Sequence, residues 1–250
     1  MNGIPGKTVV VVGAGRGLGR GIARAFAEAD GSVIAVARTG DDLAELAGAT
    51  PDVRTEIADA ADEKVAFRLV ERYEPEILVL VAGAVPVMRP LQEQTWETFS
   101  VNWHGDVRIA FGWLRAALLK PLPPGSLVVV VSSGAAVKGS PLSGGYAGAK
   151  ATQRFMAAYA RDESRRAGLG ITVTTVLPGM TPFGDVGRQG IRAYAARDGI
   201  PEPEFIARLG VPLTPESAGD ALVELARADP AAISAGYLLT DDGLRALPPQ

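Results

Sequence analysis

The 250-residue sequence contains no cysteine and only one histidine, His104. Without cysteine the chain can form neither a disulfide nor a thiolate metal site, and a single histidine excludes a histidine-rich metal site. We therefore expect no bound metal ion. Clusters of lysine and arginine are also missing, and the formal net charge is −3, so the composition argues against a nucleic-acid partner or an anionic membrane surface.

Long apolar segments are absent as well. Runs such as residues 127–131 are far too short to cross a bilayer, and the first residues lack the charged and apolar regions of a signal peptide. We therefore expect a cytoplasmic protein with no membrane partner. Hydrophobic residues make up 47% of the chain, and no repeat, low-complexity segment or linker divides it, so we predict a single domain over residues 1–250.

A glycine cluster follows the first apolar segment. Four valines at positions 9–12 lead into Gly13, further glycines stand at positions 17 and 19, and apolar residues then recur at helical spacing. The stretch predicts a buried strand, a tight turn and a helix. Glycine permits close backbone approach, and a helix N-terminus attracts phosphate, so a nucleotide is the expected ligand. The alternative is a glycine-rich turn of an α/β fold without a ligand.

Strand and helix patterns alternate along the rest of the chain. The strands are apolar without alternation, which is typical of a parallel sheet covered on both faces. We predict an α/β fold, a Rossmann-type doubly wound parallel sheet of about seven strands with helices on both faces, which binds ligands at the carboxyl ends of its strands. Beyond the first strand and helix, predicted strands cover residues 33–37, 53–57, 77–81, 127–131, 171–177 and 237–239, and predicted helices cover residues 41–46, 62–73, 95–120, 146–167 and 214–228.

A tyrosine and a lysine, Tyr146 and Lys150, stand four residues apart at the start of a predicted helix, and Ser133 precedes the tyrosine by 13 residues. Residues i and i+4 share one helix face. Tyrosine has an ordinary pKa of about 10, and a neighbouring ammonium favours the phenolate. The pair is therefore a plausible acid–base unit, with the Ser133 hydroxyl orienting a carbonyl or an alcohol. The pair alone also fits an amphipathic surface turn.

Together these motifs resemble the short-chain dehydrogenase/reductase family, in its compact single-domain branch, from Lys7 to Gly243. The resemblance implies that Tyr146 exchanges a proton with the substrate, that Lys150 binds the nicotinamide ribose, and that Ser133 holds the substrate oxygen. It also implies that Asn102 supports a proton-relay water near Lys150. The implied cofactor-binding residues are Gly13, Arg16, Gly17, Leu18, Gly19, Arg38, Asp59, Ala60, Ala82, Gly83, Tyr146, Lys150, Pro178, Gly179 and Thr181.

The sequence departs from the family pattern next to two of these motifs. Val12 precedes the first glycine where the family usually has threonine, and Leu80 and Val81 stand where it usually has two asparagines. We interpret the two changes as the coupled replacement of a polar contact by an apolar one.

The end of the second predicted strand bears on the choice of cofactor. Ala37 stands where an acidic residue would bind the 2′-hydroxyl of NAD and repel a 2′-phosphate, and Arg38 follows it. A guanidinium suits a phosphate, and Arg16 in the glycine turn is expected to approach that phosphate from the other side. We therefore predict NADP(H) as the cofactor. The alternative is that both arginines are solvated surface charges.

The resemblance implies an NADP(H)-dependent oxidoreductase that interconverts a small-molecule carbonyl and a secondary alcohol. The alternatives are a non-catalytic dinucleotide-binding sensor or scaffold, and a lyase or epimerase on the same fold. Residues 184–210 are expected to form a variable substrate lid. A homo-oligomer, either tetramer or dimer, is also expected. Its interface would use outward-facing apolar residues of the helices 95–120 and 146–167, namely Trp113, Leu114, Phe155 and Tyr159.

Overall fold

The computed structural model describes residues 3–248, which form an eight-stranded β-sheet with helices on both faces. The order of the strands is β3-β2-β1-β4-β5-β6-β7-β8, and all neighbours are parallel except β7 and β8. The predicted doubly wound parallel sheet is confirmed. The strands are β1 Thr8–Val12, β2 Ser32–Ala37, β3 Arg54–Ile57, β4 Ile77–Leu80, β5 Leu127–Val131, β6 Thr172–Pro178, β7 Gly236–Thr240 and β8 Gly243–Ala246.

The eighth strand goes beyond the predicted number of about seven. β8 follows a short turn and pairs antiparallel with β7, with Thr240 opposite Gly243 and Tyr237 opposite Ala246. Two of its four residues are exposed. It therefore lacks the continuous apolar run that identifies the central strands in the sequence.

The helices cover both faces of this sheet. A π-helical turn, Trp103–Val107, joins two of them, and 3₁₀ turns occur at Leu91–Glu93 and Pro230–Ala232. The α-helices are α1 Gly17–Glu28, α2 Gly40–Ala49, α3 Glu63–Tyr73, α4 Trp96–Asn102, α5 Arg108–Leu119, α6 Ala135–Lys138, α7 Tyr146–Arg166, α8 Asp185–Asp198, α9 Glu202–Arg208 and α10 Pro215–Arg227.

The core consists of two apolar clusters, one on each face of the sheet. Successive side chains of a strand point to opposite faces. In β1, Val9 and Val11 accordingly belong to one cluster and Val10 and Val12 to the other, and all four are 0% exposed. Residues of α1, α2 and α10 complete the first cluster, and residues of α3, α5 and α7 complete the second.

Helices α1 and α10 pack closely because two glycines lie at their contact. A Cβ atom on Gly21 would lie 2.1 Å from the carbonyl oxygen of Pro215. A Cβ atom on Gly219 would lie 2.6 Å from the Cβ of Ala25 and 2.7 Å from the carbonyl oxygen of Gly21. These distances are far below van der Waals contact, so neither position accepts a side chain without moving a helix.

The predicted helix over residues 95–120 is helical from Trp96 to Leu119, but it is not one α-helix. Thr95 caps α4 through its side-chain oxygen, which accepts a hydrogen bond from the Thr98 N–H at 3.3 Å. The π turn then separates α4 from α5. Such turns often occur at functional sites, where the extra residue redirects the side chains that follow.

The prediction that Trp113 and Leu114 face outward is wrong. Trp113 is 0% exposed and Leu114 is 5% exposed. The indole Nε1–H of Trp113 donates to the Ala60 carbonyl oxygen at 3.1 Å. Because α5 packs against α3 and α7 as well as against the sheet, more of its circumference is buried than an amphipathic surface helix would bury. Phe155 and Tyr159 are 51% and 63% exposed, respectively.

Residues 184–210 contain α8 and α9. The Tyr194 hydroxyl on α8 lies 2.8 Å from the Ser140 Oγ and accepts a hydrogen bond from the Leu142 N–H at 3.3 Å. The Tyr194 ring stacks on Phe205 of α9, with 6.4 Å between ring centroids. The segment is therefore attached to the loop that precedes α7. Among the helices of residues 3–248, none is long and apolar enough to cross a membrane.

Candidate active site

One large cavity of about 1200 Å³ lies at the carboxyl ends of the parallel strands. This is where ligands bind in doubly wound α/β folds. The glycine turn of α1 and the ends of β2 and β3 line one end, and residues of α6, α7, α8 and β8 line the other. With the exception of Asn102, every predicted site residue lines this cavity.

The glycine turn between β1 and α1 is tight because its backbone segments nearly touch. Gly13 has φ +100°, and a Cβ there would lie 2.5 Å from the Ala82 nitrogen. A Cβ on Gly19 would lie 2.0 Å from the Gly13 carbonyl oxygen. Glycine is thus required at both positions. The turn brings the N-terminus of α1 to the cavity, where its free N–H groups suit a phosphate.

The ends of β2 and β3 form the part of the cavity where an adenosine would lie. Arg38 is exposed and lines the cavity, and within residues 3–248 it forms no ion pair. Asp59 is exposed, and its carboxylate accepts a hydrogen bond from the Ala61 N–H at 3.0 Å. Ala60 lies beside it. Asp42 of α2 also lines this end, which the sequence analysis did not anticipate.

Arg16 has a partner that its position in the sequence did not predict. Its guanidinium forms an ion pair of 2.7 Å with Asp185, the first residue of α8, although the Arg16 side chain is 64% exposed. The glycine turn is therefore joined to α8. To bind a cofactor phosphate, Arg16 must share or leave this carboxylate.

The predicted acid–base residues meet at the other end of the cavity. Ser133 follows β5, and Tyr146 and Lys150 occupy the first two turns of α7. Lys150 is 5% exposed, and its ammonium lies 5.7 Å from the centroid of the Tyr146 ring. The neighbouring Ser132 hydroxyl donates to the Lys150 carbonyl oxygen at 2.8 Å and attaches α7 to the end of β5. The Ser133 hydroxyl oxygen accepts only a long hydrogen bond, 3.2 Å from the Ala135 N–H.

Asn102 does not line the cavity, and Asp106 lies between Asn102 and Lys150. The Asn102 amide donates to the Ala84 carbonyl oxygen at 2.8 Å and to Asp106 Oδ2 at 3.0 Å. Asp106 Oδ1 forms an ion pair with the Lys150 ammonium at 2.9 Å. Asp106 was not among the predicted site residues. The signal was an acidic residue four positions after Asn102 in a helix that is otherwise largely apolar, the same one-turn spacing that links Tyr146 and Lys150.

The charge of Lys150 depends on these neighbours. Burial alone lowers the pKa of Lys150, because desolvation penalises the ammonium. The negative charge of Asp106 and the interaction with Tyr146 oppose this effect, and the pKa of Lys150 lies above its ordinary value. Lys150 is therefore protonated at neutral pH despite its burial.

Pro178 and Gly179 end β6 at the cavity, and Thr181 follows them. Thr181 is 8% exposed. Its hydroxyl donates to the Leu213 carbonyl oxygen at 2.6 Å and accepts a hydrogen bond from the Phe183 N–H at 3.3 Å. Because both interactions stay within the protein, this hydroxyl organises the start of the α8 segment.

The two departures from the family pattern face each other. Val12 and Leu80 are direct partners across β1 and β4 and share one apolar cluster, whereas Val81 packs against the other cluster. The N–H groups of Val81 and Ala82 both donate to the Val12 carbonyl oxygen, at 2.9 and 2.8 Å. Backbone hydrogen bonds and apolar contacts thus join the two strand ends.

A family model of the short chain dehydrogenases matches residues 7–189. The chain belongs to the short-chain dehydrogenase family. L-xylulose reductase from Cavia porcellus is 29% identical over 134 residues, which are 52% of this chain and 54% of that protein. L-xylulose reductase from Homo sapiens is 30% identical over 133 residues, again 52% and 54% of the two chains. The chain thus spans about half the length of these curated relatives in the alignments.

A solved structure resembles this chain over nearly its whole length. It is a protein from Beutenbergia cavernae, provisionally described as an NAD(P)-dependent gluconate 5-dehydrogenase, with NADP bound at low occupancy. The two structures superimpose with a TM-score of 0.78 over 96% of each chain, at 26% sequence identity. Since 96% of the chain is covered, the likeness extends beyond residue 189.

Proposed function

We propose that this short-chain dehydrogenase is an NADP(H)-dependent oxidoreductase that interconverts a small-molecule carbonyl compound and a secondary alcohol. The observation that carries the proposal is that Ser133, Tyr146 and Lys150 share one cavity with the glycine turn of α1. Family membership and the NADP in the Beutenbergia cavernae neighbour support it. A non-catalytic dinucleotide-binding protein would not need a tyrosine and a buried ammonium at the far end of the cavity.

The geometry suggests a role for each of these side chains. Bound NADPH would supply a hydride to the carbonyl carbon. In this direction the Ser133 hydroxyl donates a hydrogen bond to the carbonyl oxygen, and Tyr146 transfers its phenolic proton to that oxygen. The Lys150 ammonium stabilises the phenolate that remains and binds the ribose. Alcohol oxidation uses the same groups in reverse.

The residues at the opposite end fit a dinucleotide with a 2′-phosphate. Glycine at positions 13 and 19 allows the backbone of the turn to close, and the N-terminus of α1 faces the cavity. Arg38 presents an exposed guanidinium without an ion-pair partner in residues 3–248, and Ala37 carries no charge that would repel a phosphate. These features favour NADP(H) over NAD(H).

We propose that residues 184–210 form the substrate lid. Gly184 and Leu209, near the two ends of this segment, line the cavity, and so do Tyr194 and Phe205 between them. Opening would break the contact between Tyr194 and Ser140 and the ion pair between Arg16 and Asp185. Lids of this kind exclude water from the reacting groups.

We further propose that the protein forms a homo-oligomer. Phe111 on α5 and Phe155 and Tyr159 on α7 are 53%, 51% and 63% exposed, and the two α7 rings stack with 6.4 Å between centroids. Neighbouring apolar rings on two packed helices form a patch of the kind that marks protein interfaces. A second copy of the chain is the partner that the family membership favours.

The test of the proposed activity is a spectrophotometric assay of NADPH oxidation with a panel of ketones, including polyol ketones and apolar ketones. Tyr146→Phe should bind NADPH like the wild type and lose about 10²–10⁴-fold of its turnover, the usual contribution of a general acid. Tyr159→Phe, which alters a tyrosine of the same helix far from the cavity, is the matched control and should retain turnover. Turnover of a true substrate by Tyr146→Phe near the wild-type rate would refute the assignment. Tight NADPH binding without turnover across a broad panel would instead favour a sensor or scaffold.

A further inference from the structure

Asp106 is an acidic side chain buried against the proposed acid–base residues. It is 1% exposed and lies on the π turn between α4 and α5. The Lys150 ammonium contacts its Oδ1, and the Asn102 amide and the Ala84 N–H donate to its Oδ2 at 3.0 and 2.9 Å. All three neighbours are donors, so the site suits an ionised carboxylate.

The backbone around Asp106 is shaped for its carboxylate. A Cβ on Gly83 would lie 2.6 Å from Oδ1. Gln153 of α7 donates from Nε2 to the Asp106 carbonyl oxygen at 3.0 Å and so attaches the π turn to the helix that carries Tyr146 and Lys150. The Asp106 carboxylate on the π turn and the Lys150 ammonium on α7 are therefore held in contact by the elements that carry them. Lys150 is in contact with α7, β5 and the π turn.

This arrangement changes the charge that Tyr146 faces. A lone ammonium beside a phenol favours the phenolate, but an ammonium paired with a buried carboxylate favours it less, because the pair carries no net charge. We propose that Asp106 is a positioning residue that offsets the charge of Lys150, keeps Tyr146 in its proton-donating form, and so poises the site for carbonyl reduction. The inference rests on the proposed oxidoreductase function. It assigns Asn102 to the support of Asp106 through its amide.

Other ionisable groups on this side of the cavity are far more accessible to solvent than Asp106. Solvent screens exposed charges strongly, so they influence Tyr146 less than a buried carboxylate does. Histidine side chains also change charge between pH 5 and 8, so His104 requires a control. These groups are His104 on the π turn, Arg108 on α5, Lys138 on α6, Asp185 and Tyr194 on α8, and Arg245 on β8.

The test compares the pH dependence of alcohol oxidation in the wild type and in Asp106→Asn. Asparagine has nearly the same shape but no charge, so the ammonium of Lys150 is no longer offset. The pH of half-maximal oxidation should fall by about one unit or more. An uncompensated opposite charge within about 4–6 Å shifts a pKa by about 1–3 units, and the Lys150 ammonium lies 5.7 Å from the centroid of the Tyr146 ring. The tyrosinate absorbance near 295 nm, with Tyr146→Phe as the blank, should shift in the same direction. Carbonyl reduction at alkaline pH should decrease.

Two further variants separate this role from a structural one. Asp106→Ser leaves room for water and should shift the profile in the same direction as Asp106→Asn, whereas His104→Gln should keep the wild-type profile. An unchanged midpoint with only a lower melting temperature, or a midpoint that moves to higher pH, would overturn the inference. If neither Asp106 variant folds, the pH profile of alcohol oxidation by the wild type is the test. A half-maximal rate at alkaline pH supports the inference, and a half-maximal rate at or below neutral pH overturns it.

The result also distinguishes this inference from the proposed function. Turnover by Tyr146→Phe would refute the proposed function itself. An inactive Tyr146→Phe together with an unshifted Asp106→Asn profile would refute only the role of Asp106.

Discussion

Substitution of Val12 by threonine tests whether the strand ends beside the glycine turn depend on an apolar contact. Val12 is 0% exposed and lies opposite Leu80 in one apolar cluster. Threonine has nearly the shape of valine, so the change mainly replaces a methyl group by a hydroxyl. The Val12 carbonyl oxygen already accepts two N–H groups, and the cluster around its side chain is largely apolar, with the Trp113 indole N–H already donating to the Ala60 carbonyl oxygen.

The expected loss of stability follows from the missing hydrogen-bond partner. A buried hydroxyl without a partner costs about 1–3 kcal/mol. In a protein of this size 1 kcal/mol corresponds to about 2–4 °C, so Val12→Thr should lower the melting temperature by roughly 2–12 °C. Urea unfolding followed by circular dichroism should give a lower midpoint with an unchanged slope, because the surface exposed on unfolding stays the same.

A double-mutant cycle makes this prediction specific to the strand ends. Leu80→Asn should recover part of the loss when it is combined with Val12→Thr, with a coupling of about 0.5–3 kcal/mol. Val10→Thr is the matched control, because Val10 is equally buried on the same face of β1 but lies opposite Leu78. It should destabilise the protein without rescue by Leu80→Asn. A higher melting temperature for Val12→Thr, or strictly additive changes in the cycle, would refute the reasoning.

The remaining predictions concern the cofactor, the lid segment and the assembly. Arg38→Asp should reverse the preference between NADP and NAD in calorimetric titrations, with affinity changes of tenfold or more for each cofactor, because it removes an attraction to the 2′-phosphate and adds a repulsion. Asp42→Asn should tighten NADP binding. Tighter binding of NAD than of NADP by the wild type would contradict both predictions. Thr181→Val should lower stability by about 1 kcal/mol, since the Thr181 hydroxyl bonds within the protein, and a weaker affinity for NADPH at unchanged stability would show that it faces the cofactor instead. Light scattering should give a mass well above the 26.0 kDa of one chain, and Phe155→Glu should lower it to that of a monomer; a monomeric wild type would refute the proposed interface.

The sheet and the ends of the cavity were predictable because their signals are local. The apolar strands, the glycines at 13, 17 and 19, and the four-residue step from Tyr146 to Lys150 each appear within a few positions of the sequence. The parallel sheet then brings these segments together, because the carboxyl ends of its strands lie at the same edge. The last strand, β8, escaped because an exposed edge strand has no apolar run.

Features that depend on contacts across the chain could not be predicted in the same way. The burial of Trp113 follows from the packing of α5 between two helices, which the period of one helix does not encode. The partner of Arg16 is Asp185, and the carboxylate on Lys150 comes from Asp106, 44 positions earlier in the chain. Sequence spacing predicted which side chains meet in the cavity, but not which charges lie against them.

The close contact of α1 and α10 has a consequence for biosynthesis. Gly219 follows Gly21 by 198 residues, so the helix behind the glycine turn obtains its packing partner only late in translation. At about 5–20 residues per second, the ribosome needs roughly 10–40 s to close that gap. During this interval the apolar face of α1, with Ile22 and Phe26, lacks the cover that α10 provides. A nascent chain of this protein therefore completes the packing behind the glycine turn only when almost all of its sheet has been made.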